Sequence, residues 1–306
     1  MPYAAIDLGS NSLLLAIEAD DGSVLHDEAH VVGLGKGLGD MGRFDPARMA
    51  HAEKVLTRFV EIAASHGVPP HRVRACATSG ARRATNAGEF FDRIRAELGL
   101  DIQTISGEQE AVYAYLGALS DLGEHPKPVL VIDLGGGSTE LIIGSGSTMH
   151  FRISLEVGAV RLTEAFGLDG PEPDLEGARR HLDDLLGAVA FPQLPAHAVA
   201  VAGTATTLAA MTLGLQSYDG AKVHGSRLNL DDLLHWRDTL LSASPERRRE
   251  LAAVSIERAP YLAAGACVIA AVLDYSGLSA CQVSNRGLRF GVVEMLRNPD
   301  QGGNLT

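Results

Sequence analysis

Apolar residues run unbroken in two places where a buried strand would need them, Tyr3-Ala4-Ala5-Ile6 and Val129-Leu130-Val131-Ile132, and each run ends on an aspartate. After Asp7 and Asp133 the chain passes through small residues and turns apolar again, so each stretch reads as strand, tight bend, strand. From the N-terminus the pattern predicts strands near 3–8, 12–19 and 23–32, the last two joined by the hairpin turn Asp20-Asp21-Gly22. A helix follows. Asp45 is its N-cap, Pro46 takes the first helical position, Met49, Ala52, Leu56, Phe59 and Ala63 form its apolar face, and Gly67 stops it. A strand near 72–77, a helix near 86–98, a strand near 101–105 and a helix near 108–122 complete the order βββαβαβα.

The second half starts the same order again. Strands are expected near 129–134, 139–144 and 148–154, with Gly144-Ser145-Gly146-Ser147 as the turn, then helices near 159–167 and 174–190, a strand near 198–202 and a helix from about 204. A last strand and helix fall near 280–284 and 287–297, and extra helices between about 217 and 276 enlarge this half. Gly123-Glu124-His125-Pro126-Lys127-Pro128 has the composition of a linker, since paired prolines and a glycine end the preceding helix. The expected organisation is two α/β domains, 1–122 and 123–306, each around a mixed five-stranded sheet, with the helix at about 287–298 free to pack back on the first. The tail 298–306 is polar and glycine-rich. Such a duplication places the two strand-tip bends facing a shared cleft.

Composition narrows the function. At 306 residues, with 46% hydrophobic and 21% charged, the chain is globular and long enough for about two domains. A net charge of −12 opposes broad attraction to nucleic acid or to an anionic membrane, so neither is an expected partner. An anionic substrate must then be met locally, by a few arginines, backbone amides and a divalent cation. Cys76, Cys267 and Cys281 are odd in number and far apart, which suggests neither a disulfide framework nor a zinc site. No signal sequence opens the chain and the longest apolar stretch, 259–273, reads as a buried helix, so a cytoplasmic protein is expected.

The chemistry lies in the repeat. Asp7-Leu8-Gly9-Ser10-Asn11-Ser12 returns 126 residues on as Asp133-Leu134-Gly135-Gly136-Gly137-Ser138, each at the tip of an apolar strand. Small residues at such a bend leave N–H groups open to a phosphate, and the aspartate at the strand tip can hold a hydrated divalent cation. Ser10, Asn11, Ser12, Ser138 and Thr139 add side-chain donors to the amides of Gly135, Gly136 and Gly137. His26 and His30 stand four apart, but on a strand their side chains do not meet as on a helix, so the segment reads as a surface strand.

These motifs, with Ala77-Thr78-Ser79-Gly80-Ala81-Arg82, Ile105-Ser106-Gly107-Glu108-Gln109-Glu110-Ala111, Ala202-Gly203-Thr204-Ala205-Thr206, Val157-Gly158-Ala159-Val160-Arg161-Leu162 and Val283-Ser284-Asn285-Arg286-Gly287-Leu288-Arg289, give the chain a resemblance over nearly its whole length. It resembles the exopolyphosphatase and guanosine pentaphosphate phosphohydrolase (Ppx/GppA) family. That family belongs to the ribonuclease H-like, actin-like ATPase superfamily of actin, sugar kinases and heat-shock chaperones. Unaided, the sequence would let Glu110 be an acid at a helix start, Arg82 a solvated charge after a loop, Glu140 a solvent-facing hairpin residue, and Gly203 and Thr204 the start of a threonine-capped helix. The resemblance implies more. Glu110 becomes the catalytic carboxylate for water, Arg82 the contact to the departing phosphate, Asp7, Asp133 and Glu140 the holders of Mg²⁺ or Mn²⁺, and Gly203-Thr204 a nucleotide- or chain-contacting turn.

The implied substrates are inorganic polyphosphate and guanosine pentaphosphate, with a homodimer left open. Longer family members carry a C-terminal helical His-Asp domain, which is not expected here. Against the family pattern, Leu13-Leu14 replaces more polar pairs, Gln109 stands where an acid is usual, Val112 replaces an arginine and Phe290 a glutamate. Two rival readings use the same fold: an ATP-dependent small-molecule kinase, for which no acceptor-directed base is recognisable, and a catalytically silent nucleotide sensor, against which the retained Glu110 argues.

Overall fold

The computed structural model describes residues 1–10, 12–123, 127–146, 148–251 and 255–298. Asn11, the middle of the 123–128 linker, Ser147 and the tail from 299 lie outside them. The described residues form two compact units, Met1–Asp121 joined by the C-terminal helix, and Leu122–Gly287.

In the first unit the elements run β1 (Tyr3–Leu8), β2 (Ser12–Glu18), β3 (Val24–Val31), α1 (Leu38–Met41), α2 (Pro46–Ser65), β4 (Val73–Ala77), α3 (Ser79–Arg83), α4 (Ala87–Leu98), β5 (Ile102–Thr104) and α5 (Gly107–Leu119). Strand order is β3-β2-β1-β4-β5, with β1 antiparallel to β2 and parallel to β4. The start of α2 is as its sequence dictates: the Asp45 carboxylate accepts from the N–H groups of Ala47 and Arg48 at 3.0 and 3.1 Å, and Pro46 needs no donor there. Its buried face is Ala52, Val55, Leu56, Phe59 and Ala63, set against the sheet residues Ile6, Leu13 and Leu15 in one core.

The second unit runs β6 (Val129–Leu134), β7 (Thr139–Ser145), β8 (Thr148–Leu155), α6 (Ala159–Phe166), α7 (Leu175–Gly187), β9 (His197–Val201), α8 (Ala202–Thr212), α9 (Gly220–Val223), β10 (Arg227–Asn229), α10 (Leu230–Ser242), α11 (Pro245–Leu251), α12 (Leu262–Tyr275) and β11 (Ala280–Val283). Its sheet order, β8-β7-β6-β9-β11-β10, repeats the first and adds a strand. The expectation of five strands fails here because the insertion supplies β10, three residues pairing antiparallel with the edge of β11. The apolar stretch 259–273 folds mostly as α12, with eleven of its residues buried in the unit's core. No described helix is long and apolar enough to cross a membrane.

The chain then returns for α13 (Leu288–Arg297), which packs in the first unit. Leu288, Val292 and Val293 join Ala5, Cys76 and Ile105 in a small core on one face of the first sheet. Gly291 lets α13 approach α5 so closely that a Cβ there would lie 1.9 Å from the carbonyl oxygen of Tyr113.

Candidate active site

The two aspartate bends have the same geometry. Gly9 N–H donates to Ser12 O at 3.0 Å and Gly135 N–H to Ser138 O at 3.0 Å, and a Cβ on either glycine would lie 3.1 Å from that same oxygen. In both, the antiparallel register runs to the tip of the bend, Leu8 opposite Leu13 and Leu134 opposite Thr139. Sequence repetition has become structural repetition.

Around the second bend, Gly136 and Gly137 are exposed and Ser138 half-buried. Its carbonyl side is closed by α6: Ala159 N–H donates to Gly135 O at 3.0 Å, and the N–H groups of Val160 and Arg161 donate to Gly136 O at 2.9 and 3.0 Å. The helix can come this near because residue 158 is glycine, whose Cβ would sit 2.5 Å from the Gly136 carbonyl carbon. Neither Gly136 N–H nor Gly137 N–H donates to a described residue, so the amide side of the bend is available to an anion.

Thr139 is a correction to the expected phosphate donors. It is fully buried and its hydroxyl donates to Val157 O at 2.6 Å, fastening β7 to the segment before α6. Asn11 lies outside the described residues, whereas Ser10 and Ser12 are half-buried at the first bend.

Arg82 and Glu110 are brought together in the first unit. Arg82 Nη2 donates to Glu110 Oε2 at 2.8 Å and Nη1 donates to Ile105 O at 2.7 Å, with both charged side chains about one-third exposed (33% and 32%). Arg82 rides on α3, where sequence suggested a loop. Five residues are too few to show a helical period, but Ala81 and Arg82 N–H both donate to Thr78 O, and buried Gly80 and Ala81 seat the turn. Glu110 projects from the first turns of α5, which is fixed by a capping box. Ser106 Oγ accepts from Gln109 N–H at 3.1 Å, and Gln109 Oε1 accepts from Ser106 N–H at 3.0 Å. Gln109 thus holds the helix start that presents Glu110.

Position in the sheet explains the meeting. β4 lies between β1 and β5, all three parallel, with Asp7 opposite Cys76 and Ala77 opposite Thr104. The bend after β1, α3 after β4 and α5 after β5 therefore all leave from the carboxyl ends of adjacent strands, where open α/β sheets bind ligands. A Cβ on Gly80 would lie 2.8 Å from Ser10 Oγ, so the arginine-bearing turn touches the bend itself.

The carboxylates expected to hold a cation divide unequally. Asp133 and Glu140 are direct cross-strand partners, half-buried on one face of the second sheet, with Glu140 Oε1 accepting from Ser154 Oγ at 2.8 Å. Asp7 faces Leu14 at the corresponding place. A pair of carboxylates is a donor set that Mg²⁺ can use, since that ion keeps several waters and shares itself with phosphate; no group of three or more metal-ligating side chains is found among the described residues. The histidines of β3 take a different part: His26 and His30 both bond to Glu28 between them, at 2.9 and 2.5 Å.

Gly203 and Thr204 open α8, whose first residue, Ala202, has φ 71°. Thr204 is buried, its methyl turned toward Gly265 of α12, while the Arg258 guanidinium lies over Gly203, within 2.3–2.5 Å of where a Cβ would be. Sequence reading gave Arg258 no role, and no spacing could have found it, since 55 residues separate it from the turn it covers. It also passed over the alternating glycines at 33, 35, 37 and 39, whose loop reaches the first bend: Gly35 N–H donates to Ser10 O at 2.7 Å.

Paired sheets in this order, each ending its central strand in an acidic phosphate-type bend, define an α/β protein of the actin-like ATPase kind. The chain belongs to the Ppx/GppA phosphatase family, whose sequence profile matches residues 15–298. It is 34% identical to exopolyphosphatase 2 of Mycobacterium tuberculosis, over 95% of this chain and 97% of that one. Among solved structures it is similar to the Aquifex aeolicus Ppx/GppA phosphatase (34% identity, 96% and 99% of the two chains, TM-score 0.85) and to an exopolyphosphatase from Cytophaga hutchinsonii (27% identity, 98% of each, TM-score 0.81).

Proposed function

We propose that this protein is an exopolyphosphatase, hydrolysing the terminal phosphoanhydride bond of inorganic polyphosphate and releasing orthophosphate. The observation that carries the reading is the Arg82–Glu110 pair at 2.8 Å, held next to the Ser10 bend. Water attacks the terminal phosphorus, the bridging P–O bond breaks toward the shortened chain, and the Glu110 carboxylate takes the proton of the attacking water. Of the five N–H donors of Arg82, two are engaged by Glu110 and Ile105 O, which leaves three to grip the transferring phosphoryl group. Within the first unit the Ser10 hydroxyl adds a donor for phosphate oxygens; in the second, the amides of Gly136 and Gly137 and the Ser138 hydroxyl form a phosphate-type bend of their own. Phosphoryl transfer needs little covalent chemistry from the protein, so alignment and charge stabilisation supply most of the rate.

Asp133 and Glu140, and separately Asp7, are the groups to hold Mg²⁺ or Mn²⁺, which when bound neutralises phosphate charge. A net charge of −12 makes that help necessary for a polyanionic substrate.

The test is orthophosphate release from inorganic polyphosphate and from guanosine pentaphosphate, side by side, with Mg²⁺, with Mn²⁺ and with chelator. Release from polyphosphate without any acceptor supports the hydrolase and rejects a kinase. Glu110→Gln is expected to lower kcat by about 10²–10⁴ with binding largely kept. Normal turnover in that variant would remove Glu110 from the mechanism.

A further inference from the structure

The bends share one more feature. In each, the carbonyl three residues beyond the aspartate is tied down by a neighbouring segment, and a cation stands at or next to the donor. Gly136 O accepts from Val160 and Arg161 N–H, and Ser10 O accepts from Gly35 N–H, with Lys36 next in the chain. In the second unit the Arg161 guanidinium lies along the bend, its Nη2 3.8 Å from where a Cβ on Gly137 would be, and it also holds the Glu156 carboxylate at 2.5 Å. Lys36 differs in being uncommitted. It is exposed, and its ammonium has neither an ion pair nor a hydrogen bond among the described residues.

The loop is built to keep that lysine close to Ser10. Gly33 and Gly37 take left-handed φ values of 64° and 78°, and a Cβ on Gly35 would lie 2.8 Å from Ser10 Cβ. The loop and bend border a cavity of about 520 Å³ lined by Ser10, Val32, Gly33, Gly35, Lys36 and Arg48. Arg48 is occupied in bracing this loop, its Nη1 donating to Val32 O at 3.3 Å and Gly33 O at 3.1 Å. Lys36 is therefore the cation of this cavity left to meet a ligand.

We propose that Lys36 forms a second phosphate subsite, taking a phosphate further along the same polyphosphate chain whose terminal unit is worked on beside Ser10, Arg82 and Glu110. The inference rests on the exopolyphosphatase reading and deepens it: a contact beyond the terminal unit makes long chains bind more tightly than short ones. A compact, mobile ammonium suits this task, because an internal phosphate of a flexible chain has no fixed orientation for an arginine fork to match.

Lys36→Ala, Lys36→Glu and Lys36→Arg, all on an exposed side chain, are compared with the wild type on long-chain polyphosphate and on tripolyphosphate at low salt. Lys36→Ala is expected to raise KM for the long chain about three- to tenfold, as one partly solvated charge contact would. Lys36→Glu should raise it further, Lys36→Arg should recover most of the loss, and the change for tripolyphosphate should be clearly smaller. Equal effects on both substrates, or none, overturn the subsite. If the wild type releases phosphate from neither, the hydrolase reading falls by itself. Calorimetric binding of long-chain polyphosphate to wild type and Lys36→Glu then decides the lysine: weaker binding supports the subsite and equal affinity overturns it.

Discussion

A guanidinium that holds a neighbouring carboxylate and a backbone carbonyl at once is a jig, here fixing Glu110 against the end of β5. Replacing Arg82 by lysine keeps the charge but cannot reach Glu110, the Ile105 carbonyl and a phosphate together. Arg82→Lys should therefore lower kcat/KM for polyphosphate by about ten- to a hundredfold, the worth of one or two charge-assisted hydrogen bonds, as steady-state kinetics would show. Glu28 offers a second test at this scale. Arg58, donating at 2.8 Å, is the main reason its carboxyl is lowered from 4.5 to about 2, with His30 and His26 adding to the effect against the opposing cost of burial. A depressed folded-state pKa stabilises the fold fully above the unfolded value and loses that contribution as pH falls from about 4.5 toward 2. Acid unfolding followed by circular dichroism should show a flatter pH dependence across that window in Glu28→Gln than in the wild type.

Among the elements, α13 shows most sharply what close packing demands. A methyl at residue 291 would enter the carbonyl of Tyr113 on α5, a backbone atom that cannot swing aside. Gly291→Ala should cost about 1–3 kcal/mol in chemical denaturation, despite alanine's better helix propensity. A neutral or stabilising result would mean that the two helices are farther apart than described. Element by element, legibility followed length and periodicity. The helix α2, with its cap, proline and five-residue buried face, could be read from sequence, as could the apolar-then-aspartate strands β1 and β6. Invisible were the five residues of α3, too short for a period to emerge, and the three of β10, which lie inside the stretch whose pattern reads as extra helices. The place of Thr139 is hidden for another reason: its neighbours are bend residues, and only the Val157 carbonyl, eighteen positions away, reveals where its hydroxyl goes.

On the scale of the whole molecule, duplication made the candidate site readable, since one acidic bend is an ordinary turn while two with the same hydrogen bond are a design. What duplication concealed is where the copies diverge: Leu14 facing Asp7 where Glu140 faces Asp133, and the glycine loop that stands in for α6. The three cysteines sample both units, Cys76 on β4 and Cys267 and Cys281 on α12 and β11. Burial pushes the Cys76 and Cys281 thiols up to about 12, with the Asp7 charge adding at Cys76, and pushes Cys267 up to about 11. Such thiols are poor nucleophiles near neutrality. A thiol reagent should label none in the native protein and all three in denaturant, counted by mass spectrometry. Rapid labelling of Cys76 alone would show that the first unit opens independently.

The return of α13 to the first unit sets an order on biosynthesis. A ribosome delivers residues 1–121 early, yet the helix that covers Ala5, Cys76 and Ile105 emerges only after all of 122–287 has been made. The second unit can complete its core during translation. The first must wait with one sheet face uncovered, so a nascent chain stalled before Leu288 is the form on which chaperones should act.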